Sequence, residues 1–463
     1  MNNRNNPYLS GNYAPVHDEL DVSQLEILGE IPKDLRGVYM RNGPNPEFAP
    51  ISYTYPYDGD GMIHAVYIAE GSAAYRNRFV ETKGLLKERK AGKALYGGVM
   101  HPAPMDPRWA GPEDEPVAIK NGAFIHIIRH HDIYLALSES APAYCMTAQL
   151  ATLGEWKPYQ DQHAIEVCAH TRFDPLNGEL WFVNYALIPP YLTFYRLDKH
   201  GENIQKWDIE KPHCSMIHDF ILTKNYVLIF DCPVLFDIQQ MMSGGAVLSW
   251  RPELGVRIGV MPRAGGQIKW FHTEPFFVFH FANAYEQNHE IIIDYVRHEK
   301  IVLLTQEEKR PSVPPRLNRT VLNLKTETMK HSVLDERLVE FPRIREDQNS
   351  LSHQFIYTPT KTNTLKSQQA FNALIKYDVT NQRSWVYDFG PHAEIGEAVF
   401  APASSHKSED DGYLLLFVYD KRSNQSELVI LDAQDFQNDP IARIKMPRRI
   451  PHGLHGSWMP GVW

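Results

Sequence analysis

Arg172-Phe-Asp-Pro-Leu-Asn-Gly-Glu-Leu-Trp-Phe182 sets a polar Asp-Pro-Leu-Asn-Gly turn between two strand-like segments. The same unit returns in Arg196-Leu-Asp-Lys-His-Gly-Glu-Asn-Ile204 and in Tyr377-Asp-Val-Thr-Asn-Gln-Arg-Ser-Trp-Val-Tyr387. Asp, Asn and Gly supply the left-handed or capped conformations that tight hairpins require. Outward from these turns lie Glu179-Leu-Trp-Phe-Val-Asn-Tyr185, Tyr226-Val-Leu-Ile-Phe-Asp231, Glu290-Ile-Ile-Ile-Asp-Tyr-Val296 and Tyr413-Leu-Leu-Leu-Phe-Val-Tyr-Asp420, all rich in β-branched or aromatic residues. Few stretches keep a helical period, so the chain reads as all-β. Recurring strand, acidic turn and strand form the degenerate signature of propeller blades, each of about 40 to 50 residues. No WD or kelch signature accompanies them, and the pattern leaves a propeller, a sandwich and several β domains open.

The loops His101-Pro-Ala-Pro-Met-Asp-Pro-Arg-Trp-Ala-Gly-Pro112 and Lys309-Arg-Pro-Ser-Val-Pro-Pro-Arg316 interrupt the strands without a shift in composition, so residues 1–463 are expected to form a single domain. Cys232-Pro-Val-Leu-Phe-Asp-Ile-Gln-Gln-Met-Met-Ser-Gly-Gly245 is expected as a helical insertion. With 43% hydrophobic and 22% charged residues the chain can build a sizeable core. A formal charge of -9 argues against a nucleic-acid partner, which would need clustered Lys and Arg. The one dense basic stretch, Lys83 to Lys93, is expected as a solvated face or loop. Cys145, Cys168, Cys214 and Cys232 form no CxxC pair, which suits reduced thiols rather than disulfides or a zinc ribbon. The opening Met-Asn-Asn-Arg-Asn-Asn-Pro-Tyr lacks the apolar core of a signal peptide, and no apolar run approaches about 18 residues. The expectation is cytoplasmic, with peripheral membrane contact open.

Among 21 histidines, four stand in or beside apolar, strand-like runs. They are His170 in Cys168-Ala-His-Thr-Arg-Phe-Asp-Pro, His218 in Met216-Ile-His-Asp-Phe-Ile-Leu, His280 in Val278-Phe-His-Phe-Ala-Asn-Ala-Tyr-Glu, and His455 in Pro451-His-Gly-Leu-His-Gly-Ser-Trp. An unpaired imidazole is costly to bury, and a metal would satisfy each one. In a propeller these separations would put the four on different blades, whose inner strands converge on the axis. Each alone reads more readily as a hydrogen-bonded core residue than as a ligand, and no HxxxH or HExxH spacing links them.

Gly29-Glu-Ile-Pro-Lys-Asp-Leu-Arg-Gly-Val-Tyr-Met-Arg-Asn-Gly-Pro-Asn-Pro46 and Tyr57-Asp-Gly-Asp-Gly-Met-Ile-His-Ala65 resemble the opening of the carotenoid cleavage oxygenases. The four histidine settings match that family's ligand motifs in order, as do Glu409-Asp-Asp-Gly-Tyr-Leu-Leu415 and the terminal His-Gly-Ser-Trp. The resemblance spans nearly the whole chain. It implies a seven-bladed β-propeller with iron on its axis, under a dome of loops and helices that encloses a substrate tunnel. It implies His170, His218, His280 and His455 as iron ligands, with Glu139, Glu340 and Glu397 orienting three of the imidazoles.

The resemblance further implies a non-haem Fe(II) dioxygenase that uses dioxygen to cleave a C=C bond of an apolar polyene, a carotenoid or apocarotenoid, into two carbonyl products. Four neutral imidazoles in octahedral geometry leave two positions open, whereas zinc favours a closed tetrahedron. Imidazoles alone would also suit copper or nickel, so the choice of iron rests on the resemblance. Related enzymes cleave phenolic stilbenes or isomerise retinoid esters. The stilbene cleavers carry a lysine immediately before the first of the three glutamates, where this chain has Ser138. Tyr96 and Lys120 are alternative phenol contacts, expected first as ordinary surface or loop residues. Apolar residues in Leu187-Ile-Pro-Pro-Tyr-Leu-Thr-Phe-Tyr195 and Val234-Leu-Phe-Asp-Ile238 are expected to dip into a membrane. The reading of a different class is a carotenoid-binding propeller without turnover.

Overall fold

The computed structural model describes residues 6–111, 119–159, 163–242, 246–301, 313–362 and 370–462. Among the described residues seven antiparallel sheets of three to six strands follow one another around a ring, with two further two-stranded sheets beside them. The second to sixth run in chain order: Thr152–Glu155 to His126–His130, Arg172–Phe173 to Ile204–Ile209, Ile221–Leu222 to Lys269–Thr273, Phe281–Gln287 to Thr328–Val333, and Phe355–Thr360 to Arg383–Asp388. The first and seventh mix the two ends of the chain. Gly456–Pro460 pairs with Gly37–Arg41 in the first, with Trp458 opposite Tyr39. Ile27–Gly29 pairs with Ala442–Lys445 in the seventh, with Ile27 opposite Ile444. The ring is thus latched twice, and the expected seven-bladed propeller is the observed fold.

The core explains why the sheets close. A twisted blade has two apolar faces, each of which must be covered by a neighbour. Seven hydrophobic clusters do this, one per pair of adjacent blades. Val38, Ala65, Ala136 and Tyr144 join the first blade to the second, and Leu135, Trp156, Leu180 and Phe182 join the second to the third. Trp181, Phe194, Phe220 and Ile229 join the third to the fourth, and Phe230, Ile258, Ile293 and Tyr295 the fourth to the fifth. Val296, Leu317 and Ile375 continue to the sixth, Leu374, Ile395 and Leu416 to the seventh, and Phe417, Leu428, Tyr39 and Val66 return to the first. Burying each large aliphatic or phenyl side chain contributes roughly 1.5–3 kcal/mol, and a missing blade would expose two of these surfaces.

The turns foreseen from sequence are present, joining Leu192–Leu197 to Ile204–Ile209 and Ala373–Asp378 to Arg383–Asp388. The basic stretch forms the helix Lys83–Ala91, capped by the Thr82 side chain at Leu85 N and by left-handed Gly92. Its Leu85 and Glu88 are buried while Lys83 and Lys90 are exposed. The expected helical insertion is mostly extended. Val234–Phe236 pairs with Leu248–Trp250, and only Ile238–Met242 is helical, because Val-Leu-Phe takes a strand partner. Ser243, Gly244 and Gly245 of that stretch, Lys309 to Ser312 of the Pro-rich loop and Pro112 lie outside the described residues.

The two terminal motifs meet. A Cβ on Gly43, in the Arg-Asn-Gly-Pro-Asn-Pro run, would stand 2.6 Å from the Cα of Gly453, in Pro-His-Gly-Leu-His. Asn42 N donates to His455 O (3.1 Å) and Leu454 N to Asn42 O (2.9 Å). Glu409 accepts from Phe355 N (2.8 Å) and Gln354 N, fastening the seventh blade to the start of an inner strand of the sixth. His64 in the Asp-Gly-Asp-Gly motif is buried against the Tyr75 hydroxyl (2.8 Å), and burial with nearby Arg41, Arg448 and Arg449 holds its pKa well below 6.5. The unfolded chain therefore takes up a proton there that the folded chain refuses, so this stability is complete above pH 6.5 and declines as pH falls below it. Urea midpoints between pH 7 and 4.5 should accordingly fall less steeply for His64→Phe than for the parent chain.

Candidate metal centre

Inner strands begin directly after histidines. His170 precedes Arg172–Phe173, His218 precedes Ile221–Leu222, His280 precedes Phe281–Gln287 and His455 precedes Gly456–Pro460. A side chain at the entrance of an inner strand faces the ring axis, so residues from the third, fourth, fifth and first blades meet. The His170 ring centroid lies 4.7 Å from that of His218, 4.9 Å from His280 and 4.5 Å from His455. His280 lies 5.2 Å from His218 and 5.0 Å from His455. All five ring pairs are edge-on.

The nitrogens turn inward as well as the rings. His170 Nε2 and His218 Nε2 are 3.1 Å apart, and His280 Nε2 is buried without a hydrogen-bond partner. One ligand atom from each of His170, His218 and His280 falls within 4.8 Å of the others. Lone pairs gathered so closely repel one another unless a cation sits between them, and this donor set fits a divalent transition metal.

Carboxylates stand behind three of the rings. Glu340 Oε2 accepts from His280 Nδ1 (2.5 Å), and Glu397 Oε2 from His455 Nδ1 (2.9 Å). Glu139 Oε2 lies 2.9 Å from His218 Nδ1, off the line of a good hydrogen bond. With Nδ1 facing a carboxylate, Nε2 keeps its lone pair toward the centre. Burial, deepened by His455, His218 and His280, pushes His170 well below the ordinary imidazole value. Burial also lowers His455, although Glu397 opposes it. At His218 the adjacent Glu139 outweighs burial and holds the pKa above its usual value. Burial alone would raise Glu340 and Glu397, but His280 and His298 beside the first, and Arg343 and His455 beside the second, hold both far below the carboxylate range.

The rings of all four histidines expected from sequence therefore pack together with the three glutamates beside them, although the ligand atoms within 4.8 Å of one another come from His170, His218 and His280 without His455, and the structure adds other residues. Asp219 ties together the strands that carry three of the histidines. It accepts from Arg172 Nη2 at both oxygens (2.8 and 2.6 Å), from Phe220 N (2.7 Å) and from Phe281 N (3.0 Å). Its place directly after His218 was the available signal, since a buried Asp in an apolar run must have donors. Phe341 has φ +52°, a left-handed conformation uncommon for a bulky residue. It sets its ring 5.0 Å from His280 and 5.4 Å from His455. Such backbone strain persists only where surrounding contacts enforce it, and here Phe341 N donates to Glu340 Oε2.

Lys120 corrects an expectation. It is no surface residue: its ammonium sits 2.8 Å from Asp60 and 2.8 Å from Glu88, both buried. Gly84 makes room, because a Cβ there would meet Lys120 Cγ at 2.7 Å and Tyr96 Cε2 at 3.6 Å. Tyr96 is half-buried and its N–H faces Glu88 (3.4 Å). Ser138 is buried immediately before Glu139. Breaking a buried ion pair at one partner costs about 3–5 kcal/mol. Asp219→Asn also turns an amide NH2 toward N–H donors, so urea denaturation of this variant should show a loss of about 3 kcal/mol or more.

Comparison with known proteins agrees with this architecture. The family model described as "Retinal pigment epithelial membrane protein" matches residues 13–460. A carotenoid 9,10(9',10')-cleavage dioxygenase of Crocus sativus is 32% identical over 490 residues, 98% of this chain and 89% of that protein. Isoeugenol monooxygenase of Pseudomonas nitroreducens is 33% identical, covering 99% of each chain. The crystal structure of a lignostilbene dioxygenase of Pseudomonas brassicacearum superimposes with a TM-score of 0.90 at 28% identity, covering 99% of each chain. A match over this length, on the same propeller, makes the chain a member of the retinal pigment epithelial membrane protein family, the carotenoid cleavage oxygenases.

Proposed function

We propose that the protein is a non-haem Fe(II) oxygenase that cleaves a C=C bond of a carotenoid or apocarotenoid. His170, His218, His280 and His455 hold the metal, and Glu139, Glu340 and Glu397 orient it through three of them. The observation that carries this reading is the packing of imidazoles from four blades, with the ligand atoms of His170, His218 and His280 gathered within 4.8 Å and carboxylates behind three of the rings. One dioxygen adds across one double bond, so the C=C is lost, each carbon gains an oxygen, and two carbonyl products leave. Iron bound there would supply the spin-allowed reaction of dioxygen with an alkene, which no side chain provides.

The residues of the chain supply binding, orientation and a dry wall. Phe341 faces His280 and His455, and Phe279 stands edge-on to His218 at 5.3 Å. These rings exclude water from the imidazoles and offer an apolar surface on which a conjugated chain can lie. Ser138 provides no cation for a phenol beside Glu139, and Lys120 is already held by Asp60 and Glu88. Both features favour an all-hydrocarbon stretch next to the metal. A second reading, a phenyl-substituted alkene as substrate, is favoured by the full-length similarity to isoeugenol monooxygenase. The Fe(II)-loaded protein should be incubated in air with β-carotene, a long apocarotenal, a hydroxylated stilbene and isoeugenol, and the products identified by mass spectrometry. Paired carbonyl products from the first two substrates, absent with His280→Ala, are expected. Cleavage of only the aromatic alkenes would move the assignment to the second reading, and iron binding without any product would favour carriage.

Access from a membrane is part of the same proposal. Ile188 is 72% and Leu187 39% exposed in the loop after Leu180–Tyr185, and Ile238 is 40% exposed nearby. Cys214 links the two segments, donating through Sγ to Ala186 O (3.2 Å) and accepting at its O from Phe236 N (3.0 Å). Among the described residues no helix is long and apolar enough to cross a membrane, so contact would be peripheral. Co-sedimentation with phosphatidylcholine vesicles should fall several-fold for Leu187→Asp/Ile188→Asp, while cleavage of detergent-solubilised substrate persists.

A further inference from the structure

His298 lies in none of the sequence motifs above, yet it is the second imidazole on Glu340. Its Nε2 donates to Glu340 Oε1 (2.7 Å) while His280 Nδ1 donates to Oε2 (2.5 Å). The carboxylate thus bridges two rings, one facing the metal centre and one facing away. His298 is 4% exposed and fixed through its backbone: its N–H donates to Phe277 O (2.8 Å), and Phe277 N donates to its carbonyl (2.9 Å). Its ring stands edge-on to Phe279 at 5.2 Å, and Phe279 in turn stands edge-on to His218 at 5.3 Å.

The remaining nitrogen, Nδ1, is buried with no hydrogen-bond partner. An ionised carboxylate only accepts, so both rings must donate to Glu340. That leaves Nδ1 of His298 and Nε2 of His280 as the ring nitrogens without a hydrogen-bond partner. Among the described residues the bond to Glu340 is the one hydrogen bond of the His298 side chain, and it offsets burying the ring half-satisfied. Glu397 has a different set of partners: Gly456 N (2.6 Å) and Arg343 Nη1 (3.2 Å). Each glutamate is held in its own way.

We propose that His298 is a positioning residue for the metal: it pins Glu340 in the rotation that aims the His280 Nε2 lone pair at the centre. The inference rests on reading His280 as a metal ligand. It is tested with Co(II) as probe, following visible absorption in competition with a chelator, in the parent protein, His298→Leu, His298→Gln and His280→Ala, with thermal melts of each. Gln places an amide Nε2–H where the imidazole Nε2–H was, so it retains the bond to Glu340. Removing such an outer partner typically weakens metal binding by about 10- to 100-fold. His298→Leu should lose affinity on that scale and shift the Co(II) spectrum, His298→Gln should stay within about threefold, and the two should melt at similar temperatures. Affinity in His298→Leu equal to the parent's, or equal losses in both variants, would overturn the role of His298. Unchanged Co(II) binding by His280→Ala would instead overturn the metal-centre reading beneath it.

Discussion

Four imidazoles, withdrawn from water and aimed at one another, cannot all carry protons, and the rest of the molecule is arranged around that fact. Burial drives His170 toward the neutral form, and each nearby ring adds to the drive. Neutrality alone is insufficient, because a neutral imidazole has two tautomers and only one leaves Nε2 bare. The carboxylates select it by engaging Nδ1 of His280 and His455. Buried carboxylates then need donors of their own, and they find them in Phe341 N, His298, Gly456 N and Arg343. Around Glu340 and Glu397 the polar network therefore grows outward from the rings, as buried charge requires, whereas among the described residues Glu139 Oε1 is buried without a hydrogen-bond partner.

The propeller suits this demand because its inner strands all begin near one point. Tight antiparallel pairing fixes the start of each strand, and Asp219 locks three of those starts to one another. The histidines inherit that rigidity. A site built on strand ends rather than on mobile loops keeps its donors in place before any ligand arrives.

How much of this was legible in the sequence follows from range. Strands such as Tyr226–Asp231 and the turns between them are local, and periodicity with Asn, Asp and Gly located them. Val234–Phe236 was mistaken for helix because its partner, Leu248–Trp250, lies beyond a short window. Pattern alone did not choose the propeller, since every blade looks like any hairpin until the first and last strands are seen to pair. The histidines and their glutamates were legible only through motif resemblance, for His170 and His218 are 48 residues apart and nothing local draws them together. Lys120 was misread because its two carboxylates, Asp60 and Glu88, come from separate parts of the chain. Asp219 and His298 were overlooked for a similar reason: their partners include Arg172, Phe281 and Glu340, none of them adjacent in sequence.

The double latch also sets an order of events as the chain is made. His170, His218 and His280 leave the ribosome long before Gly456–Pro460, the strand that follows His455 and fills the gap beside Gly37–Arg41. Until then Gly37–Arg41 presents an unpaired edge, and the first and seventh blades each lack a covered face. Pairing of such sequence-distant strands is the slow part of folding. A nascent chain can therefore assemble three quarters of the imidazole cluster but not the closed ring, so completion of the cluster reports that translation has run through Gly456–Pro460.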